Sequence, residues 1–240
     1  MASLFKKIKQ RGLIFTFAGL FNRFVPERLF RMRYYYVLRL NPVRKLDDQR
    51  CDDVTVKMAE TESEYSAIEE LTYFRRHDSS GQKTACSATH NGQTVGGFWG
   101  AQGEFDENEL GVQVKLAPNQ CWLFAALVSE SSRGKGIYPR ILAAMSKHMF
   151  DQGATDQLVA VNPFNRASMR VHTRFAQPGQ VAKILAIRFL KWTFCIKHGG
   201  VSQNKWLALN CHHSPVELNF KAPQSSPKAK HVSCNELILR

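Results

Sequence analysis

The residues best placed to do chemistry are seven in a row, Ser132-Arg133-Gly134-Lys135-Gly136-Ile137-Tyr138. Two glycines let the backbone take positive φ and come close to a ligand, while Arg133 and Lys135 set positive charge beside the loop amides. The flanks say what such a loop does. Residues 121–128 before it form a continuous apolar run of strand length. After it, the apolar positions 137, 141, 142, 145, 149 and 150 follow helical spacing. Strand, glycine-rich turn and helix aim successive backbone N–H groups at an anion on the helix N-terminus. The loop therefore reads as a cradle for phosphate or pyrophosphate. A nucleoside-triphosphate loop is excluded, because Gly-x-x-x-x-Gly-Lys-Ser/Thr occurs nowhere in the chain. A dinucleotide fingerprint fails as well, with Pro139 standing where its third glycine belongs.

A second segment follows about thirty residues on. Residues 158–161 are a short apolar strand, and Asn165 just beyond is a good helix N-cap, with Ser168 in the first turn. Taken in order, the two segments resemble the GNAT acyltransferase superfamily. Its first motif is Arg/Gln-x-x-Gly-x-Gly/Ala; Arg133 and Gly136 match it, and Tyr138 stands where Gly or Ala is usual. Its second is Asn-x-x-Ala/Ser-x-x-x-Tyr-x-Lys-x-Gly-Phe. There Asn165, Ser168 and the basic Arg174 fall into register, His172 takes the tyrosine position, Ala176 the glycine and Gln177 the phenylalanine. The resemblance covers residues 121–177.

What the resemblance implies is an α/β fold of GNAT type: a twisted, mostly antiparallel mixed sheet flanked by helices. It implies an acyl-CoA-dependent N-acyltransferase, moving acetyl from acetyl-CoA to a primary amine of a small molecule or sugar precursor by direct attack, with no metal. Leu127 and Val128, ending the fourth family strand, would pair with the pantetheine arm. The amides of Arg133, Gly134, Lys135, Gly136, Ile137 and Tyr138 would take the pyrophosphate, with Asn165 and Ser168 as the matched positions of the second motif. His172 would replace the tyrosine that protonates the departing thiolate, as an imidazole can near neutral pH. Glu130, just past the strand, is the expected base; Glu104, Asp106, Glu107 and Glu109 lie in a loop that could border the acceptor. A CoA-binding sensor or scaffold that does not turn over is an alternative, kept open by His172 and the missing Gly-Phe pair.

Composition bounds the partners. The 240 residues carry a formal net charge of +13, which suggests an anionic partner: a CoA nucleotide, nucleic acid or an acidic membrane surface. The Arg31–Tyr36 stretch could stack on bases, but the charge excess sits at the N-terminus and in the tail, where no nucleic-acid motif appears. The six cysteines are scattered and read as reduced thiols of a cytosolic protein. Cys211-His212-His213 is a poor tetrahedral metal site without a second cluster.

Three regions follow. Residues 1–50 are a basic, aromatic, amphipathic extension; within 1–40, nine cations face a single acid, Glu27. That is the composition of a helix lying on an anionic membrane at the inner face, and the alternative is packing on the enzyme domain or in a homodimer. Its segment 27–40 reads as a short helix or an extended stretch. Residues 51–220 are the acyltransferase domain and 221–240 a flexible tail. Within the domain, 54–58 alternates as a strand, 62–74 is a helix capped by Thr61, and 83–89 with 93–103 form a hairpin across Asn91-Gly92. Residues 112–116 alternate again. Closing strands are expected over 180–190 and 201–209, with Trp192 and Trp206 in the core.

Overall fold

The protein is seen here in a computed structural model, which describes residues 16, 24–26, 29–41, 53–78, 81–107, 111–179, 181–201, 207–209 and 216–221. Twelve strands and three helices are described: β1 (Phe30–Leu40), β2 (Val54–Met58), α1 (Glu62–Thr72), β3 (Gln82–His90), β4 (Gln93–Gln102), β5 (Glu104–Glu107), β6 (Val112–Lys115), β7 (Gln120–Val128), α2 (Ile137–Asp151), β8 (Asp156–Val161), α3 (Arg166–Phe175), β9 (Ala182–Phe189), β10 (Trp192–Gly199), β11 (Leu207–Leu209) and β12 (Glu217–Asn219). Nine of the strands make one sheet in the order β11-β10-β9-β1-β8-β7-β4-β3-β2, and β12-β6-β5 make a second. Within the large sheet β7 and β8 run parallel, and its other pairs are antiparallel. This is the mixed, mostly antiparallel α/β architecture that the resemblance implies.

Local chemistry starts and stops the elements where expected. Thr61 caps α1 in a capping box: its hydroxyl accepts from Glu64 N, and the Glu64 carboxylate accepts from Thr61 N. The β3–β4 hairpin turns at Asn91 and Gly92, both at positive φ (49° and 75°), as a primed turn requires. The sheet is covered on both faces. A Cβ at Gly96 would meet Ile141 and Ile137 of α2, and one at Gly97 would meet Ile68 and Thr72 of α1. These two neighbours on one strand thus admit helices on opposite faces, which a side chain at either position would push away. α2 buries Ile137, Ile141, Leu142, Met145 and Met149 against one face. On the other, the small sheet contributes Phe105, Val114 and Leu218 to a core shared with Val37, Trp122 and Ile184.

The N-terminal region departs from expectation. Phe30–Leu40, assigned to a basic extension, is a strand in the interior of the large sheet, paired with β8 from Tyr36↔Val161 to Leu40↔Gln157 and with β9 from Phe30↔Phe189 to Val37↔Ala182. The cause is burial on both faces of the sheet: Val37, on the face of Arg31, Arg33 and Arg39, joins one core, and Leu38 and Leu40 join the other. Arg39 is anchored by the buried carboxylate of Asp156, with Nη2 3.1 Å from Oδ2 and Nε on Oδ1. The remaining cations of 1–28, Trp206, and the tail beyond Lys221 lie outside the described residues. A further strand, β10, was not expected, and Trp192 at its start is exposed rather than in the core. Among the described residues no helix is long and apolar enough to cross a membrane.

Candidate functional site

The parallel pair is where the sheet opens. β7 and β8 are in register from Gln120↔Asp156 to Leu123↔Val159, and there the ladder ends although both strands continue. β7 is deflected at Ala125, at φ 46°, next to a register shift against β4 between Gly97 and Trp99. The end of β8 keeps to β1 instead, through Ala160↔Val37 and Val161↔Tyr36. A wedge therefore opens between the strands toward their C-terminal ends, with Leu127 and Val128 partly buried on its β7 side.

The glycine loop stands at the mouth of this wedge. A short 3-10 turn, Glu130–Ser132, leads into Arg133, then Gly134 (φ 80°) and Gly136 (φ 76°), the latter being the N-cap of α2. Positive φ is what requires glycine here, since a Cβ at either position would meet nothing within 4 Å. The same emptiness leaves room in front of the loop. No side chain caps α2 and no acid occupies its first turn, so its first N–H groups and dipole are left to an outside anion. Arg133 is held beside them by Nε donating to Val128 O and Nη1 to Glu130 Oε1, both at 3.2 Å. The donor set fits a pyrophosphate.

His172 lies in a short chain of hydrogen bonds. It is buried at 3% exposure on α3, with Nδ1 2.9 Å from Ser168 O and Nε2 2.9 Å from the Tyr138 hydroxyl. A carbonyl oxygen only accepts, so Nδ1 carries the proton. Burial lowers the pKa of His172, against a smaller opposite push from the bond to Ser168, so the ring is neutral and Nε2 accepts. Tyr138 is the donor, and burial raises its pKa and keeps it protonated. At the shared bond the imidazole therefore accepts, and it carries no proton of its own there.

The structure thus gathers the two motifs at one end of the sheet: Leu127 and Val128 at the end of β7 with 133–138 after it, and Asn165, Ser168 and His172 after the parallel β8. Asn165 caps α3, its Oδ1 accepting from Ser168 N at 3.2 Å. Glu130, the expected base, is 87% exposed and ion-paired with Arg133. The acids 104–107 form β5 instead of a loop: Glu107 is buried and accepts from Trp122 Nε1 at 3.1 Å, and Glu104 pairs with Lys115. Glu109 lies outside the described residues, as do Cys211, His212 and His213. What the motifs did not reveal is that their two departures, Tyr138 and His172, meet each other. No local signal marks the meeting, since Tyr138 lies in the first turn of α2 and His172 in the last turn of α3.

The model of the acetyltransferase (GNAT) family matches residues 48–176. Solved structures with similarity include a GCN5-related N-acetyltransferase from Kribbella flavida, at 15% identity and TM-score 0.46 over 71% of this chain and 61% of that one. A GCN5-related N-acetyltransferase-like protein from Streptococcus suis is 12% identical at TM-score 0.47, covering 75% of this chain and 68% of that one. An aminoglycoside acetyltransferase from an uncultured soil metagenomic sample is 8% identical at TM-score 0.42, covering 54% and 91%. The chain thus spans about three fifths of the Kribbella structure. No curated protein matches it.

Proposed function

The chain belongs to the acetyltransferase (GNAT) family, and from that premise we propose that it transfers an acetyl group from acetyl-CoA to a primary amine by direct attack. The observation that supports this most is the coincidence of the β7/β8 wedge with an uncapped helix N-terminus at the same end of the sheet. Acetyl-CoA supplies an activated thioester carbonyl and a thiolate leaving group. The backbone of Leu127 and Val128 would align the pantetheine arm in the wedge, and the loop 133–138 would hold the pyrophosphate through its amides with Arg133 and Lys135. Fixing the donor so turns the attack of an amine into a local event, which contributes most of the rate.

The departing thiolate needs a proton. In this reading the Tyr138 O–H would turn from His172 Nε2 to the thiolate, its O–H bond breaking as S–H forms, and the tyrosinate would regain a proton from the amine nitrogen as the amide forms, with His172 the positioning residue. Glu130, exposed at the mouth, remains the candidate to take a proton from the incoming ammonium. The acceptor is a small-molecule or sugar-linked amine.

Isothermal titration tests the assignment. The wild-type chain is expected to bind acetyl-CoA, and Gly136→Asp to weaken binding about tenfold or more, since a carboxylate would face the pyrophosphate at a position with φ 76°. Equal affinity of the two proteins, or no binding by the wild type, overturns it. Thioester consumption across amino sugars, polyamines, amino acids and peptides then identifies the acceptor.

A further inference from the structure

A tight hairpin turn is ordinarily built from Asn, Gly or Asp. The turn between β9 and β10 is Leu190-Lys191, with Leu190 held at φ 53°, a conformation that costs a non-glycine residue. Phe189 and Trp192 face each other directly across it. Leu190 N donates to Leu29 O at 2.8 Å, and Phe30 pairs with Phe189, so the start of β1 is stapled to the same tip. All four large apolar side chains there point to water: Leu29 is 45% exposed, Phe189 53%, Leu190 50% and Trp192 39%. Scattered single exposures need no explanation, whereas a contiguous aromatic and aliphatic cluster does. Folding gains nothing from it.

Charge selects the occupant. At the tip Lys191 stands exposed in the turn and Arg188 pairs with Arg31 one position in, residues 181–201 contain no acid, and residues 1–40, which lead into β1, hold nine cations against Glu27. Trp and Phe beside the exposed Lys191, with no acid in the hairpin, suit the boundary between lipid headgroups and acyl chains. We propose that the β9–β10 tip, together with Leu29, inserts into the surface of an anionic lipid bilayer.

Topology ties this surface to the site. β9 is antiparallel to β1 and β1 to β8, so the tip lies at the same end of the sheet as the C-terminal ends of β7 and β8. β7 and β9 are three strand spacings apart, roughly 14 Å. A docked tip therefore turns the mouth of the wedge toward the membrane, and the acceptor is an amine on a membrane-linked molecule. That last step rests on the acyl-transfer reading; insertion itself does not, and vesicle binding is read without CoA.

Vesicles of phosphatidylcholine alone and with phosphatidylglycerol supply the test on the full chain. Co-sedimentation with the anionic vesicles is expected, with Trp192 fluorescence quenched by brominated acyl chains. Trp192→Phe should still sediment but lose most of that quenching. Leu190→Asn/Trp192→Ser should need at least tenfold more lipid for half-binding, with an unchanged thermal midpoint. Failure of the wild type to sediment overturns the proposal, and so does equal sedimentation of the double variant. A stable dimer in sedimentation velocity that the double variant dissociates overturns it too, by assigning the tip to a second copy. Loss of lipid binding with intact acetyl-CoA affinity separates this surface from the active site.

Discussion

Tyr138 and His172 stand 2.9 Å apart, hydroxyl to Nε2, and this one hydrogen bond joins the first turn of α2 to α3. Each residue departs from the family pattern in its own motif, one by adding an aromatic ring where a small residue is usual and the other by giving up a tyrosine. The departures compensate. A phenolic hydroxyl is still delivered between the two helices, but from α2, and the shorter imidazole receives it. Ser168 fixes the direction of the bond by occupying Nδ1.

Removing the hydroxyl tests both roles of the pair. Tyr138→Phe leaves the buried Nε2 unpaired, which should cost about 1–3 kcal/mol of stability. On the proposed chemistry it should also lower turnover by about a hundredfold with little change in acetyl-CoA affinity. His172→Phe should act on the same step, and the double variant should be little worse than either single one, since the two act as a unit. Additive losses in turnover would show that they act separately.

The neutral state of His172 gives stability a pH dependence with a definite sign. Its folded pKa lies below the ordinary value of 6.5. Above 6.5 both folded and unfolded chains are neutral at this residue, and the contribution is complete. As pH falls below 6.5 the unfolded chain takes the proton first, and stability is lost until the folded pKa is passed. Urea midpoints at pH 8 and pH 5 should differ more for the wild type than for His172→Gln. An equal difference in the two proteins would mean that His172 is charged in the fold.

The strand β1 should prove indispensable. Deleting 1–40 strips the partner from both β8 and β9 and exposes their edges, so the product should be insoluble rather than a working domain without its anchor. A point substitution makes the same test without truncation. Asp156→Ala leaves Arg39, at 13% side-chain exposure, and the Nε2 of Gln120 without their shared carboxylate. Loss of one partner from such a pair costs about 3–5 kcal/mol. A thermal midpoint within a degree of wild type would show that the pair carries little of the fold.

How much of this was legible in the chain depends on the range over which each feature is encoded. The Thr61 capping box, the Asn91-Gly92 turn, the strand–loop–helix around Arg133–Tyr138 and the Asn165 cap each rest on residues within a few positions of one another, where backbone sterics and local hydrogen bonds decide the outcome. Those features, and with them the family, follow from the sequence by itself. The strand at 30–40 was half-legible: its alternation of basic and apolar residues is a strand signal, but the basic composition of the segment around it pointed outward.

Tertiary structure alone decided the rest. The location of β1 between β8 and β9 depends on partners such as Arg39 and Asp156, 117 residues apart. The opening of β7 from β8 depends on a bulge against a third strand, and the hydrogen bond of His172 on a hydroxyl 34 residues away on another helix. Trp192, read as core from its apolar type, became surface because a strand's alternation does not say which face will be covered, only that its two faces differ. Pairing order and face coverage are settled by long-range burial, which no local window of the chain contains.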